Sequence, residues 1–158
     1  MVVSAATAWA GVSNAASITN LTSFGGELFS LTKDFAKDWA VASDDAKAMS
    51  QAVKDLTSIL AELPSATDAN VPASPLAIEE NEKFRPVLME CQEAFNQVLD
   101  LVRQYPNLST STAQQVQWVA KGKMEFVRIV VDIERLKSTL ALKLGFMQRI
   151  RWVEQPII

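Results

Sequence analysis

The sequence predicts an all-α fold, an antiparallel bundle of four to five helices with a long C-terminal helix. Three observations carry that expectation. Apolar residues recur at steps of three and four along almost the whole chain, and no stretch alternates with the period of two that a strand needs. Ser, Thr and Asp starts and Pro or Gly stops fall at helix-length intervals. A helix with one apolar stripe must bury it against another, so the stripes together require a bundle. The chain has 158 residues, enough for one domain with a real core, expected over 1–158.

The first helical region is expected over about residues 5–35, with a kink or break at Gly25-Gly26, because two adjacent glycines weaken a helix interior. The second begins at Ser43-Asp44-Asp45, where acidic and hydroxyl side chains suit an N-terminus. Its stripe is Met49, Val53, Leu56, Leu60 and Leu63, and Pro64 is expected to end it. The stretch "PSATDANVPASP" reads as a loop. Pro75 then suits the first position of a new helix, which Pro86 is expected to kink or restart. That helix carries Leu88, Cys91, Phe95, Val98, Val102 and Tyr105, closed by Pro106.

Ser111 and Gln114 have capping-box spacing and open a short helix with Val116 and Trp118, which Gly122 is expected to break. The longest helix is expected over about 123–150. Phe126, Val130, Ile133, Leu136 or Lys137, Leu140, Leu144 and Met147 point inward. Glu125, Arg128, Asp132, Arg135 and Lys143 line the other side.

Composition narrows the function. The net charge of −3 speaks against a dedicated nucleic-acid binder. Residues 61–105 hold three basic and eight acidic side chains, and residues 106–158 hold eight basic and four acidic, so the two stretches suit packing against each other. There is no histidine, the commonest general base and metal ligand. The single cysteine, Cys91, sits on an apolar stripe as a small hydrophobe and fits a reducing compartment. Glu79, Glu80 and Glu82 read as a solvated helix start. No enzyme activity, cofactor or metal site is expected.

Two features stand apart. From Met1 to Thr32 only Glu27 is charged, yet no run of about 20 apolar residues exists to span a membrane. Small residues recur there at four-residue spacing, with Gly11 and Ala15 among them, and Trp9, Val12, Ile18 and Leu21 add apolar bulk. Such rows let helix backbones approach closely, in a bundle or in a membrane. Pattern alone favours a helix buried by its neighbours. The other feature is the basic end "KLGFMQRIRW", where Lys143, Arg149, Arg151 and Trp152 have the composition of an interfacial membrane contact. Its plainer reading is a solvated helix end.

The segments "AWAGVSNAASITNLTSFGGELFSLTKDF", "LMECQEAFNQVLDLVRQY" and "QVQWVAKGKMEFVRIVVDIERLKSTLALKLGFMQ" together resemble the fungal N-terminal helical domains of the HeLo and HeLo-like group. The resemblance spans nearly the whole chain and rests on the order of helices and scattered residues. It implies a domain of a longer protein, ahead of a STAND-type receptor or a prion-forming motif. It also implies a cell-death executioner of fungal non-self recognition, cytoplasmic at rest and at the plasma membrane when activated. Its partners are then membrane lipids, further copies of the chain, and a STAND receptor or amyloid signalling partner. The family's membrane-active helix maps by position onto about residues 2–21, which makes Trp9, Gly11, Val12, Ala15, Ile18 and Leu21 the insertion and self-association candidates. This segment is more polar than a typical inserting helix. The competing expectation is a helical signalling adaptor that binds a protein and never touches lipid.

Overall fold

The computed structural model describes residues 14–38, 43–66, 75–108 and 110–154, and every element among them is helical. Helices α1 (Asn14–Asp38), α2 (Ser43–Ala66) and α3 (Pro75–Gln104) come first. A short α4 (Thr112–Gln117), one π turn (Trp118–Gly122) and the long α5 (Lys123–Glu154) follow.

Their order in space comes from who packs on whom. α1 packs on α2 and α3, and α5 packs on the same two, so the long helices form a ring with α1 diagonal to α5. Lys54 of α2 lies over the Phe29 ring of α1 at 5.6 Å, and Gly25 faces Thr57, so these helices are antiparallel. Tyr105 meets Trp118, Glu90 meets Arg135, and Lys143 lies over Phe84, so α3 and α5 are antiparallel too. Asp45 reaches Trp118 and Asp55 reaches Lys137, which sets α2 parallel to α5. α2 and α3, consecutive in sequence, therefore stand at opposite corners of the ring, and two of the four side-by-side pairs are parallel, which corrects the expectation of an antiparallel bundle.

One core cluster joins all the long helices. The expected stripes of α2 and α3 are buried throughout: Met49, Val53, Leu56, Leu60 and Leu63 on one, Leu88, Cys91, Phe95, Val98, Val102 and Tyr105 beside the other. On α5, Phe126, Ile133, Leu136, Leu140 and Leu144 are buried, together with Ile129, which the sequence reading had not placed inward. Of the pair Leu136 and Lys137, Leu136 is the core residue. Lys137 stays at the rim, 2.9 Å from Glu134 and 3.6 Å from Asp55.

Two local expectations are corrected, at Pro64 and Gly122, and two lose their break alternative, at Gly25-Gly26 and Pro86. Gly25-Gly26 does not break α1, which runs unbroken from Asn14 to Asp38. A Cβ on Gly25 would collide with the Thr57 side chain, so this glycine lets α2 approach closely. Packing then outweighs the roughly 1 kcal/mol that glycine costs a helix. Pro64 does not end α2 at once; the helix closes its last turn at Ala66. Pro86 does not restart α3, since an exposed proline removes one hydrogen bond on the solvent side of a continuous helix. Gly122 does not break the chain either, because the π turn carries α4 directly into α5.

Buried hydroxyls are satisfied within their own helices. Thr32 donates to the Leu28 carbonyl at 3.0 Å, and Thr57 to the Val53 carbonyl at 2.7 Å, so neither costs an unpaired group.

Candidate functional site

The corner where α3 turns into α4 is built by polar closure and then by aromatic packing. The Ser111 hydroxyl accepts the Gln114 N–H at 3.3 Å, as the capping spacing predicts. The second half of the box is different. Gln114 Oε1 accepts the Asn107 N–H at 2.8 Å, while the Ser111 N–H donates to the Asn107 carbonyl at 2.7 Å, so the cap also ties down the preceding turn.

Val116 is exposed and Trp118 is buried. The Trp118 ring meets Tyr105 edge-on at 5.3 Å and Phe126 at 6.1 Å, and its Nε1–H donates to Asp45 Oδ2 at 3.4 Å. A Cβ on Gly122 would stand 2.8 Å from Tyr105 Oη, so the close approach of these two rings needs glycine.

At the other end of the bundle lie the sequence-predicted residues. Ile18 and Leu21 of α1 are fully buried, which is the packed-helix expectation for that stretch. Ala15 lies in the first turn of α1, and Trp9, Gly11 and Val12 lie outside the described residues. α1 and α3 run parallel, with the Phe24 and Phe95 rings 5.7 Å apart. Equal rise per residue then brings the start of α1 level with Phe84 and Arg85 of α3. Phe84 is the ring over which Lys143 Nζ sits, 5.7 Å from its centroid. The first turn of α1 and the last turns of α5 therefore share one end of the bundle, on opposite corners of the ring and without a common face.

The four basic-end candidates differ in setting. Lys143 is half-buried against Phe84, and Arg149 is exposed. Arg151 and Trp152 continue the same helix toward Glu154. Sequence reading missed Lys83 and Arg85, exposed on α3 at this end, because only helix direction reveals them as neighbours of the α5 terminus. Glu79, Glu80 and Glu82 occupy the first turns of α3 at the same end, so the charge carried there is mixed.

A hollow of about 290 Å³ between α3 and α5 is lined by Glu90, Glu93, Gln97, Arg128, Asp132 and Arg135. Arg135 Nη1 is 3.3 Å from Glu90 Oε2 across it, and Gln97 Oε1 lies on its floor without a hydrogen-bond partner. Among the described residues no group of three Cys, Asp or Glu side chains is placed to hold a metal ion. Burial pushes the Cys91 thiol up to about 12, with the Glu90 charge adding to the shift, so the thiolate needed for nucleophilic chemistry is disfavoured. Among the described residues no helix is long and apolar enough to cross a membrane. Comparison with protein-family models, with curated proteins and with solved structures finds no match for this chain.

Proposed function

We propose that this chain is a membrane-targeting cell-death module of the HeLo-like kind, acting by oligomerisation and release of its N-terminal helix into the membrane. The observation that supports the reading is the shared end. The uncharged N-terminal segment joins the bundle at the first turn of α1, level with Phe84 and Lys143, and α5 continues from there through Arg149. A segment leaving from that end and a basic helix terminus would meet one membrane plane together. Ile18 and Leu21 are buried at rest, so release would uncover apolar surface that lipid or further copies of the chain would then cover. On this reading the protein is cytoplasmic until activated and then moves to the plasma membrane. Its activating partner is a STAND receptor or an amyloid signalling protein.

The test is a variant lacking residues 1–13. Cutting before Asn14 leaves Ile18 and Leu21 in the core, whereas Ile18→Asp would bury a charge and unfold the bundle for an unrelated reason. The truncated protein is expected to keep its helical spectrum and its melting temperature but lose leakage of anionic vesicles and toxicity in fungal cells. Neutralising Arg149 and Arg151 to Gln should weaken vesicle binding by about 1 kcal/mol each, and added salt should weaken it further. Full activity of the truncated chain would overturn the proposal. So would an intact chain that never binds vesicles even as an oligomer, and the adaptor reading would replace it.

A further inference from the structure

Where α3 ends and the π turn begins, a second hollow of about 330 Å³ is lined by Gln104, Tyr105, Gln117, Lys121 and Glu125. Its floor is the Tyr105 phenol. That residue is only 3% exposed, yet among the described residues its hydroxyl has no hydrogen-bond partner. A polar side chain so deeply buried normally has one. Gly122 explains how the hydroxyl comes to lie here, since a Cβ at that position would stand 2.8 Å from Tyr105 Oη. Burial holds the phenol above its usual range and the Glu125 charge adds to this, so the group stays protonated and can both donate and accept.

The walls carry one charge of each sign and two amides. Lys121 and Glu125 lie about one helical turn apart, and among the described residues they form no ion pair with each other or with a neighbour. A simple anion drawn by Lys121 would be repelled by Glu125, and a simple cation would meet the reverse. A molecule that carries both charges suits both side chains at once. Gln104 and Gln117 add amide groups, each able to donate and to accept.

We infer that this hollow binds a free α-amino acid with a short polar side chain, its carboxylate on Lys121, its ammonium on Glu125 and the Tyr105 hydroxyl beneath. A peptide terminus fits less well, because it carries only one of the two charges. The site is independent of the membrane proposal, since the Trp118 corner lies at the opposite end of the bundle from Lys143 and the first turn of α1.

The experiment titrates the full chain with L-glutamine, whose side-chain amide matches Gln104 and Gln117, and follows the heat of binding. The ring signals of Tyr105, the one tyrosine in the chain, serve as a local reporter in magnetic resonance. The dissociation constant should be on the order of 1 mM. Glutaramate, which lacks the ammonium, and γ-aminobutyramide, which lacks the carboxylate, should each bind at least about tenfold more weakly. Lys121→Gln and Glu125→Gln should each cause a similar loss at an unchanged melting temperature, because both side chains are exposed. Tyr105→Phe keeps the ring against Trp118 and removes only the hydroxyl, so it too should weaken binding without lowering the melting temperature. Absence of glutamine binding, equal binding of either half-molecule, or binding that survives Lys121→Gln would overturn the inference. So would glutamine binding that leaves the Tyr105 signals unmoved, which would place the ligand elsewhere.

Discussion

The two ends of this bundle are held by different chemistry. At one end Trp118 is enclosed by Tyr105, Phe126 and Gly122, is hydrogen-bonded to Asp45, and opens a π turn whose last residue, Gly122, has no room for a Cβ. At the other end Ile18 and Leu21 pack as fully buried aliphatic side chains, and the Lys143 ammonium lies over the Phe84 ring. Large rings and directional bonds fix helix positions there, whereas aliphatic contacts hold helices together without fixing how they leave. The comparison teaches that three of the four long helices (α2, α3 and α5) are anchored at the Trp118 corner, and α1 is not. α1 meets its neighbours along its length, through Phe24 against Phe95 and Phe29 beneath Lys54.

The largest expected effect tests the anchored end. Trp118→Ala removes the ring at the centre of the corner and should cost about 3–5 kcal/mol, measured by chemical denaturation. Phe95→Ala, on the α1 and α3 contact, should cost a similar amount because Phe95 is fully buried. The two should differ in kind. Trp118→Ala should loosen α2, α3 and α5 together in amide exchange, and Phe95→Ala should loosen α1 first. Identical exchange patterns would show that the ends are not distinct.

Two glycines on the π turn and α5 sharpen the same contrast with opposite signs. Gly122→Ala forces a methyl against Tyr105 and Trp118 and should destabilise by about 1–3 kcal/mol. Gly145 has nothing within 4 Å of the place its Cβ would take, so Gly145→Ala should stabilise by about 0.4–1 kcal/mol through helix propensity. A thermal melt of each variant decides it, and equal signs would refute the account of the corner.

Cys91 reports how tightly the middle of the bundle is shut. Its thiol is raised from 9.0 to about 12 by burial, so the folded form resists ionisation that the unfolded form undergoes readily. The contribution to stability is therefore complete below about 9 and is lost as pH rises toward about 12. Lys137, raised mainly by its hydrogen bond to Glu134, and Tyr105, raised mainly by burial, act in the same direction. The melting temperature should fall with rising alkalinity, and less steeply in Cys91→Ala. A disulfide reagent should label Cys91 slowly in the native protein, and faster in Trp118→Ala.

Much of the fold was legible in the sequence, and the reasons for the failures are physical. The stripes of α2 and α3 were readable because each helix buries a single row. Gly25-Gly26 misled because a glycine pair reads alike whether it breaks a helix or admits a neighbour. Thr57, distant in sequence, decides between the two. The π turn was invisible because it is set by Tyr105 and Trp118 packing around Gly122, not by local propensity. At the candidate site, Ile18, Leu21 and the basic terminus could be named from composition. Their common end could not, since it depends on helix direction and on α2 and α3 taking opposite corners of the ring.

The smallest expected effect lies between the two ends, at the Arg135 and Glu90 pair that spans the hollow of α3 and α5. Both side chains are about half exposed, at 56% and 50%, and their 3.3 Å contact is open to solvent. Water screens the attraction, and ordering two long side chains costs entropy, so the pair should contribute only about 0.2–1 kcal/mol. A double-mutant cycle with Glu90→Gln and Arg135→Gln measures the coupling directly, and added salt should reduce it. If the bundle is held at the Trp118 corner and by its core, this cycle should give a small number and leave the exchange pattern of both ends unchanged. A coupling above about 2 kcal/mol would mean that the hollow is drier than its exposure indicates. The α3–α5 contact would then be anchored a second time, halfway along, and the contrast between the ends would lose its cause.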